Sequence, residues 1–167
     1  MEAGSTLQHE VVFASGEQRP ALGLGTWRFG EQPAHRSAEM SSVRHALDMD
    51  WRLINTAELN GAGGAEDIVG QALEAAQRGG LARRDLFVVS KVLPDHAGER
   101  AMIAACEASL RRLRLDCIDG YLLHWRGKVP LAEAVRGFEQ LQRRNWIRMC
   151  GVSNFDLADL ADLRPSA

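Results

Sequence analysis

Long hydrophobic runs and paired cysteines are both missing from this sequence of 167 residues. No apolar run approaches the ~20 residues that a membrane-spanning helix needs, which argues against a membrane partner or a membrane protein. The three cysteines, Cys106, Cys117 and Cys150, lie far apart and form no C-x-x-C pair. A disulfide framework or a zinc knuckle is therefore not expected, no metal site is predicted, and a reducing cytoplasmic location fits best.

An excess of basic charge and a secretory leader are also absent. The net charge is −2, so nothing in the charge balance favours a nucleic-acid partner. Hydrophobic residues make up 46% and charged residues 25% of the chain, as is typical of a soluble protein with one core. The first residues have neither a basic nor an apolar segment, so no signal peptide is expected. These features predict a single domain over residues 1–167.

What the sequence does contain is an alternation of short apolar runs with helical periods. Residues 7–13 and 18–22, separated by Ser15 and Gly16, predict a β-hairpin. One strand is predicted to end near 24–26, and further strands are predicted at 51–55, 86–91, 118–124 and 146–152. Helices are predicted around 40–47, 68–76, 102–113, 131–141 and 156–163, with Pro130 at the first helical position of the fourth. Such βα units indicate parallel strands with right-handed crossovers.

The alternation alone does not separate a doubly wound sheet from a barrel. A dinucleotide-binding doubly wound sheet carries G-x-G-x-x-G after its first strand. The segments 23–28 (GLGTWR) and 61–66 (GAGGAE) both fail at the sixth position. The missing fingerprint favours a barrel, in which the active site gathers residues from the carboxyl ends of several strands.

Polar residues follow four successive predicted strands. The strand ends read INTAELN at 54–60, VVSK at 88–91, LLHW at 122–125 and GVSNF at 151–155. One lysine or one histidine at a strand end is weak evidence, because a lone histidine is more often a satisfied core residue. Four such ends in succession predict a shared site, since a barrel brings these ends together.

These motifs resemble those of the aldo/keto reductases. The segment GLGTW at 23–27 resembles the opening strand of that family, and residues 55–61 resemble its D-T-A-x-x-Y-G segment. SKV, LLHW and GVSNF match further family motifs in order and spacing, so the resemblance covers nearly the whole chain. It implies a TIM barrel that uses NADPH to reduce small-molecule aldehydes or ketones. A complete barrel takes ~250 residues, so the expectation is a truncated NADP-dependent oxidoreductase domain: an α/β fold forming a partial (β/α)8 barrel of about five units after a hairpin.

The resemblance also assigns catalytic positions. Lys91 and His124 occupy the lysine and histidine positions, whereas Asn55 stands at the aspartate position and Asn60 at the tyrosine position. In the family the tyrosine donates a proton, the lysine lowers its pKa, the aspartate pairs with the lysine, and the histidine orients the carbonyl. An amide is too weak an acid to protonate an alkoxide. Asn55 is uncharged, so Lys91 is expected to lose its counter-ion and shift toward the neutral form.

Cofactor contacts are implied for two segments. Ser153 and Asn154 match the pair that holds the nicotinamide carboxamide, and Gly25, Thr26 and Trp27 match the first loop near the cofactor. The resemblance places the contacts to the pyrophosphate and the 2′-phosphate mainly in later strands.

Two tryptophans and two strand residues complete the candidates. Trp27 and Trp125 resemble the aromatic wall of the substrate pocket, with simple core packing as the alternative. Tyr121, the one tyrosine, precedes His124 by three residues, so it is expected to face the helices when His124 faces the site. Gly120 is expected to point into the barrel, where it either leaves a gap or packs against a bulky neighbour.

Three functions follow as hypotheses. The first is a crippled or inactive reductase, because Asn55 and Asn60 replace the charge and the acid. The second is an active carbonyl reductase that uses His124 and Lys91. The third is a non-enzymatic interaction module that pairs with itself or with a full-length relative through the exposed edge of an open barrel.

Overall fold

A computed structural model describes residues 10–13 and 16–163. The strands are β1 Glu10–Val12, β2 Gln18–Pro20, β3 Gly23–Gly25, β4 Leu53–Asn55, β5 Phe87–Val92, β6 Ile118–Leu123 and β7 Ile147–Val152. The helices are α1 Arg36–Asp48, α2 Gly64–Arg78, α3 Glu99–Leu113, α4 Leu131–Arg143 and α5 Leu157–Ala161. The predicted alternation of strands and helices is thereby confirmed. The start of the predicted hairpin, 7–9, and the residues after 163 lie outside the described residues.

The main sheet is parallel and its strands follow chain order. Its five strands run β3-β4-β5-β6-β7, with a helix after each strand. A doubly wound sheet reverses its strand order at a switch point, whereas this sheet does not. The order is that of a (β/α)8 barrel, and the described sheet contains five of its strands. Within the described residues, β3 and β7 each pair on one side only.

The hairpin packs against the amino-terminal end of β5. β1 and β2 pair antiparallel, with Val11 opposite Arg19. The ring centroids of Phe13 and Phe87 lie 6.0 Å apart, and the Arg19 guanidinium lies 5.0 Å from the centre of the Phe87 ring. Phe87 is the first residue of β5, so the hairpin contacts this strand at the end opposite the candidate site.

Successive residues of β5 and β6 face opposite sides of the sheet, as strand geometry requires. Ser90 of β5 donates a hydrogen bond to the Glu66 carboxylate of α2, so it faces the helices. Tyr121 of β6 packs edge-on against Phe138 of α4, with the ring centroids 6.3 Å apart. Lys91, one residue after Ser90, therefore points to the inner face.

The helix starts differ slightly from the prediction. Pro130 is the residue before α4 rather than its first helical residue, because its ψ of 132° is extended and the helix begins at Leu131. Asp156 precedes α5 and caps it: its side chain accepts a hydrogen bond from the Asp159 amide, and the Asp159 side chain accepts one from the Asp156 amide.

Gly120 leaves no gap. It lies opposite Val89 in the parallel register of β5 and β6. A Cβ at this position would come within 3.3 Å of a Val89 methyl group and 3.9 Å of the Phe87 ring. The close-packing alternative is therefore correct: side chains of β5 fill the space beside this glycine.

The described helices also bear on the membrane question. Within residues 10–13 and 16–163, every helix is too short or too polar to cross a bilayer. Cys106, Cys117 and Cys150 are free thiols.

Candidate active site

The five parallel strands of the main sheet, β3 to β7, end at one edge of the sheet. Backbone hydrogen bonds continue the sheet just beyond the strands, from the Thr26 amide to the Asn55 carbonyl at 3.0 Å and from the His124 amide to the Val92 carbonyl at 3.0 Å. The Ser153 amide bonds to the Leu123 carbonyl at 2.8 Å. The polar residues after β3 to β7 therefore lie together at the carboxyl edge, as in the active sites of barrel enzymes.

Lys91 lies between neutral partners. Its Nζ donates to Oδ1 of Asn55 and, at 3.1 Å, to the backbone carbonyl of Thr56. Among the described residues, no carboxylate forms an ion pair with Lys91. Burial lowers the pKa of Lys91 below its usual value, because a half-buried ammonium loses solvation that no neighbouring carboxylate replaces. The direction of the expected shift in the Lys91 pKa, toward the neutral amine, is confirmed.

Asn60 is buried in the short helical turn that follows β4. Its Nδ2 donates to the Thr26 carbonyl at 3.3 Å, which ties this turn to the loop after β3. The next two residues, Gly61 and Ala62, have positive φ values of 57° and 50°. Adding a Cβ to Gly61 would bring it within 2.7 Å of the Gly30 backbone, so this turn requires glycine.

His124 lies beside Trp125 and Lys91. The His124 and Trp125 ring centroids are 4.7 Å apart. Its Nδ1 is buried and has no hydrogen-bond partner among the described residues. Burial and the nearby Lys91 charge lower the pKa of His124, and Glu58 acts weakly in the other direction. These shifts favour the neutral imidazole, which has one N–H that can donate to a carbonyl oxygen.

Ser153 and Asn154 lie next to His124. Nδ2 of Asn154 donates to the His124 carbonyl at 2.9 Å and to the Ser153 hydroxyl at 3.3 Å. Asn154 has a left-handed φ of 56°, which asparagine tolerates better than most residues. The loop after β7 is thus held against the end of β6.

The other predicted pocket residues differ in exposure. Trp27 is 78% exposed and Trp125 is 37% exposed, so neither is a core residue. Gly25 is exposed, whereas Thr26 is fully buried and its hydroxyl donates to the Asn55 carbonyl at 3.4 Å. Thr26 therefore binds the backbone of β4 and holds the loop after β3 against it.

The sequence interpretation missed Glu58. This carboxylate is almost fully buried, and its Oε1 accepts hydrogen bonds from the Leu93 amide and, at 3.0 Å, from Nδ1 of His96. It joins the loop after β4 to the loop after β5. The available signal was an acidic residue between the two altered motif positions, Asn55 and Asn60.

A metal centre has no basis in the described part of the chain. Residues 10–13 and 16–163 contain no group of three or more histidine, cysteine, aspartate or glutamate side chains placed to hold an ion.

Tyr121 is placed to stabilise the core rather than to act in the site. Its ring is fully buried against Phe138, and burial raises the pKa of its hydroxyl well above the usual value. We expect Tyr121→Phe to change the free energy of unfolding by no more than about 1 kcal/mol. Tyr121→Ala should cost about 3–5 kcal/mol, because it opens a cavity. Urea denaturation of both variants measures these values, and a Tyr121→Phe variant as unstable as Tyr121→Ala would contradict this placement.

Comparison with known families decides what this arrangement is. The sequence pattern of the aldo/keto reductase family matches residues 21–166. The chain belongs to the aldo/keto reductase family. The methylglyoxal reductase YeaE of Escherichia coli strain K12 is 44% identical over 158 residues, covering 94% of this chain and 54% of that protein. The glyoxal reductase of Bacillus subtilis strain 168 is 34% identical, and the match covers 98% of this chain and 55% of that protein.

Solved aldo/keto reductases share the fold. A Klebsiella pneumoniae enzyme crystallised with NADP and acetate superposes with a TM-score of 0.85 at 46% identity, over 95% of this chain and 54% of the other. An aldo/keto reductase from the same organism in complex with NADPH gives a TM-score of 0.83, also at 46% identity, over 92% of this chain and 52% of the other. The chain spans about half the length of the relatives it matches.

Proposed function

We propose that this aldo/keto reductase site binds a carbonyl compound and the nicotinamide end of NADPH, but delivers a proton so poorly that turnover is crippled or lost. The observation that carries this proposal is the pairing of Lys91 with the Asn55 amide. At the position where the family pattern has tyrosine, Asn60 offers an amide that donates to a backbone carbonyl. The charge and the general acid are both replaced by neutral amides.

The residues present fit the nicotinamide end of the cofactor. With Nδ2 of Asn154 engaged by His124 and Ser153, its Oδ1 accepts no hydrogen bond from the described residues and can receive an amide N–H. Ser153 and Asn154 would hold the carboxamide, and Trp27 and Trp125 would flank the pocket. When bound, NADPH would supply the hydride, and the similar aldo/keto reductase from Klebsiella pneumoniae was crystallised in complex with NADPH.

The proposed substrate class is a small aldehyde or ketone. The neutral His124 ring would donate its N–H to the carbonyl oxygen and orient it. The names of two relatives, a methylglyoxal reductase and a glyoxal reductase, favour small dicarbonyl compounds within this class.

An active reductase is the second candidate, and one observation favours it. Burial lowers the pKa of Lys91, which makes its ammonium a stronger acid than an exposed lysine. Lys91, with His124 orienting the carbonyl, would then replace the tyrosine as proton donor. His124→Ala and Lys91→Met should each abolish aldehyde-dependent NADPH consumption in this case. Equal background rates for both variants and the unaltered chain would exclude it.

An interaction module is the third candidate. Within the described residues, the outer edges of β3 and β7 have unpaired backbone groups, and such edges can pair with another chain. Light scattering tests this idea, since a stable monodisperse monomer would contradict it.

Titration with NADPH tests the first proposal. We expect saturable binding in the micromolar range, measured by cofactor fluorescence, because Ser153 and Asn154 match the family pair that holds the nicotinamide carboxamide. Asn154→Ala should weaken this binding, whereas Asn145→Ala, which changes an exposed asparagine after α4, should not. An absence of binding up to millimolar cofactor would contradict the proposal.

A further inference from the structure

Lysine is rare in this chain, and one of its lysines lies in the candidate site. Only Lys91 and Lys128 occur in the whole sequence, and the other basic side chains are arginine or histidine. Lys128 is exposed in the segment between β6 and α4. Lys91 is half-buried at the end of β5. The two amines therefore differ in environment within one molecule.

The hydrogen bonds of Lys91 suit a neutral amine. A neutral amine has two N–H bonds and one lone pair, and Nζ has two acceptors, the Asn55 side-chain oxygen and the Thr56 carbonyl. Both N–H bonds are satisfied by neutral oxygens, so the surroundings do not require a third proton. The lone pair is then left for an electrophile at the open edge of the sheet, where Asn55 is exposed.

We propose that Lys91 is a nucleophile that condenses with small aldehydes or ketones to form an imine, without any cofactor. The Nζ lone pair forms a bond to the carbonyl carbon, and the carbonyl oxygen leaves as water with the two protons of the neutral amine. No electrons are exchanged with another group in this step. His124 lies next to Lys91 and holds the incoming carbonyl by its N–H. Desolvated lysines are activated for this chemistry because a lowered pKa raises the fraction of the amine that is neutral.

This activity goes beyond the proposed reduction and is independent of NADPH. It uses the same carbonyl class, but the bond forms to the protein and water can reverse it. The replacement of a carboxylate by Asn55 thus has opposite effects on the two reactions. It removes the charge that supports proton delivery, and it raises the fraction of Lys91 that is neutral and nucleophilic.

Reductive trapping with propanal tests the proposal. Sodium cyanoborohydride reduces the imine to a stable propyl-lysine, and peptide mapping by mass spectrometry gives the labelling rates of Lys91 and Lys128 in the same sample near neutral pH. Lys91 should be labelled faster than Lys128 by at least about fivefold, because a buried amine without a counter-ion loses its proton more readily. In denaturing urea the two rates should become equal. Lys91 labelling no faster than Lys128 in the folded chain would overturn the proposal.

A negative charge placed beside Lys91 distinguishes two causes of fast labelling, the nucleophilicity of the amine and its accessibility to the reagent. Asn55→Asp should pair with the Lys91 ammonium and reduce the labelling of Lys91 toward the rate of Lys128. Asn145→Asp, the same change at an exposed site, should leave both rates unaltered. An Asn55→Asp variant that folds and labels Lys91 at the original rate would overturn the proposed cause. Since NADPH is absent throughout, failure of cofactor binding does not affect the result, and the ratio in the unaltered chain decides the proposal even when the variant does not fold.

Discussion

Changing Asn55 to aspartate and Asn60 to tyrosine together is expected to raise the rate of NADPH-dependent aldehyde reduction by about 10²–10⁴-fold, the range that a positioned general acid contributes. The two changes belong together because Lys91 contacts Asn55 directly. A carboxylate at position 55 would keep Lys91 charged, and a charged lysine would lower the pKa of a phenol at position 60. The initial rate of NADPH absorbance loss measures the effect.

The control for this restoration is Asn55→Asp with Asn60→Phe, which supplies the ring without the hydroxyl. It should show no gain, because the phenol proton is missing. The rate gains of the two single variants should add up to less than the gain of the double variant, since the effects of residues that act as a unit are not additive. Equal rates for the phenylalanine and tyrosine variants, with NADPH binding intact, would show that the missing acid does not limit the reaction.

The second large effect concerns stability and the buried Glu66. This carboxylate is fully buried between α2, α3 and β5. Nε of Arg112 donates to its Oε2 at 2.7 Å, and the Ser90 hydroxyl donates to its Oε1. Arg112→Met would leave the Glu66 charge without its cation, so we expect a loss of about 3–5 kcal/mol in the free energy of unfolding by urea denaturation.

Arg111 provides the matched control for this loss. It precedes Arg112 on α3, but its side chain is 67% exposed and pairs with Glu107 one turn away. Arg111→Met should cost less than about 1 kcal/mol, because solvent screens exposed pairs. The double change Glu66→Leu with Arg112→Met should recover part of the loss, since it removes both charges. Equal costs for Arg111→Met and Arg112→Met would mean that Glu66 does not depend on its partner.

Local pattern was sufficient to predict the elements and the edge where the site lies. Apolar runs and helical periods are set by each segment alone, and parallel strands bring their carboxyl ends together wherever they occur in the chain. For this reason the sequence alone predicts that Asn55, Lys91 and His124 lie together. Strand alternation also predicted that Tyr121 faces the helices, and its contact with Phe138 confirms this.

Contacts between distant segments could not be predicted in the same way. Glu58 and His96 are 38 residues apart, and Arg112 and Glu66 are 46 residues apart. Their pairing depends on how loops and helices pack. Neither the hydrophobic periodicity nor the secondary-structure propensity of a segment determines that packing. The same holds for Gly120, whose space is filled by Val89 of the neighbouring strand. The exposure of Trp27 depends likewise on what surrounds its loop.

The most direct test of the account is aldehyde-dependent NADPH consumption by the unaltered chain, with His124→Ala as the background. Methylglyoxal is a suitable substrate, because it is the substrate in the name of a relative that is 44% identical. The account predicts a rate not measurably above that of His124→Ala, since Asn55 and Asn60 provide neither the charge nor the acid. A rate that saturates with methylglyoxal and disappears in His124→Ala would contradict it and establish the chain as a working reductase.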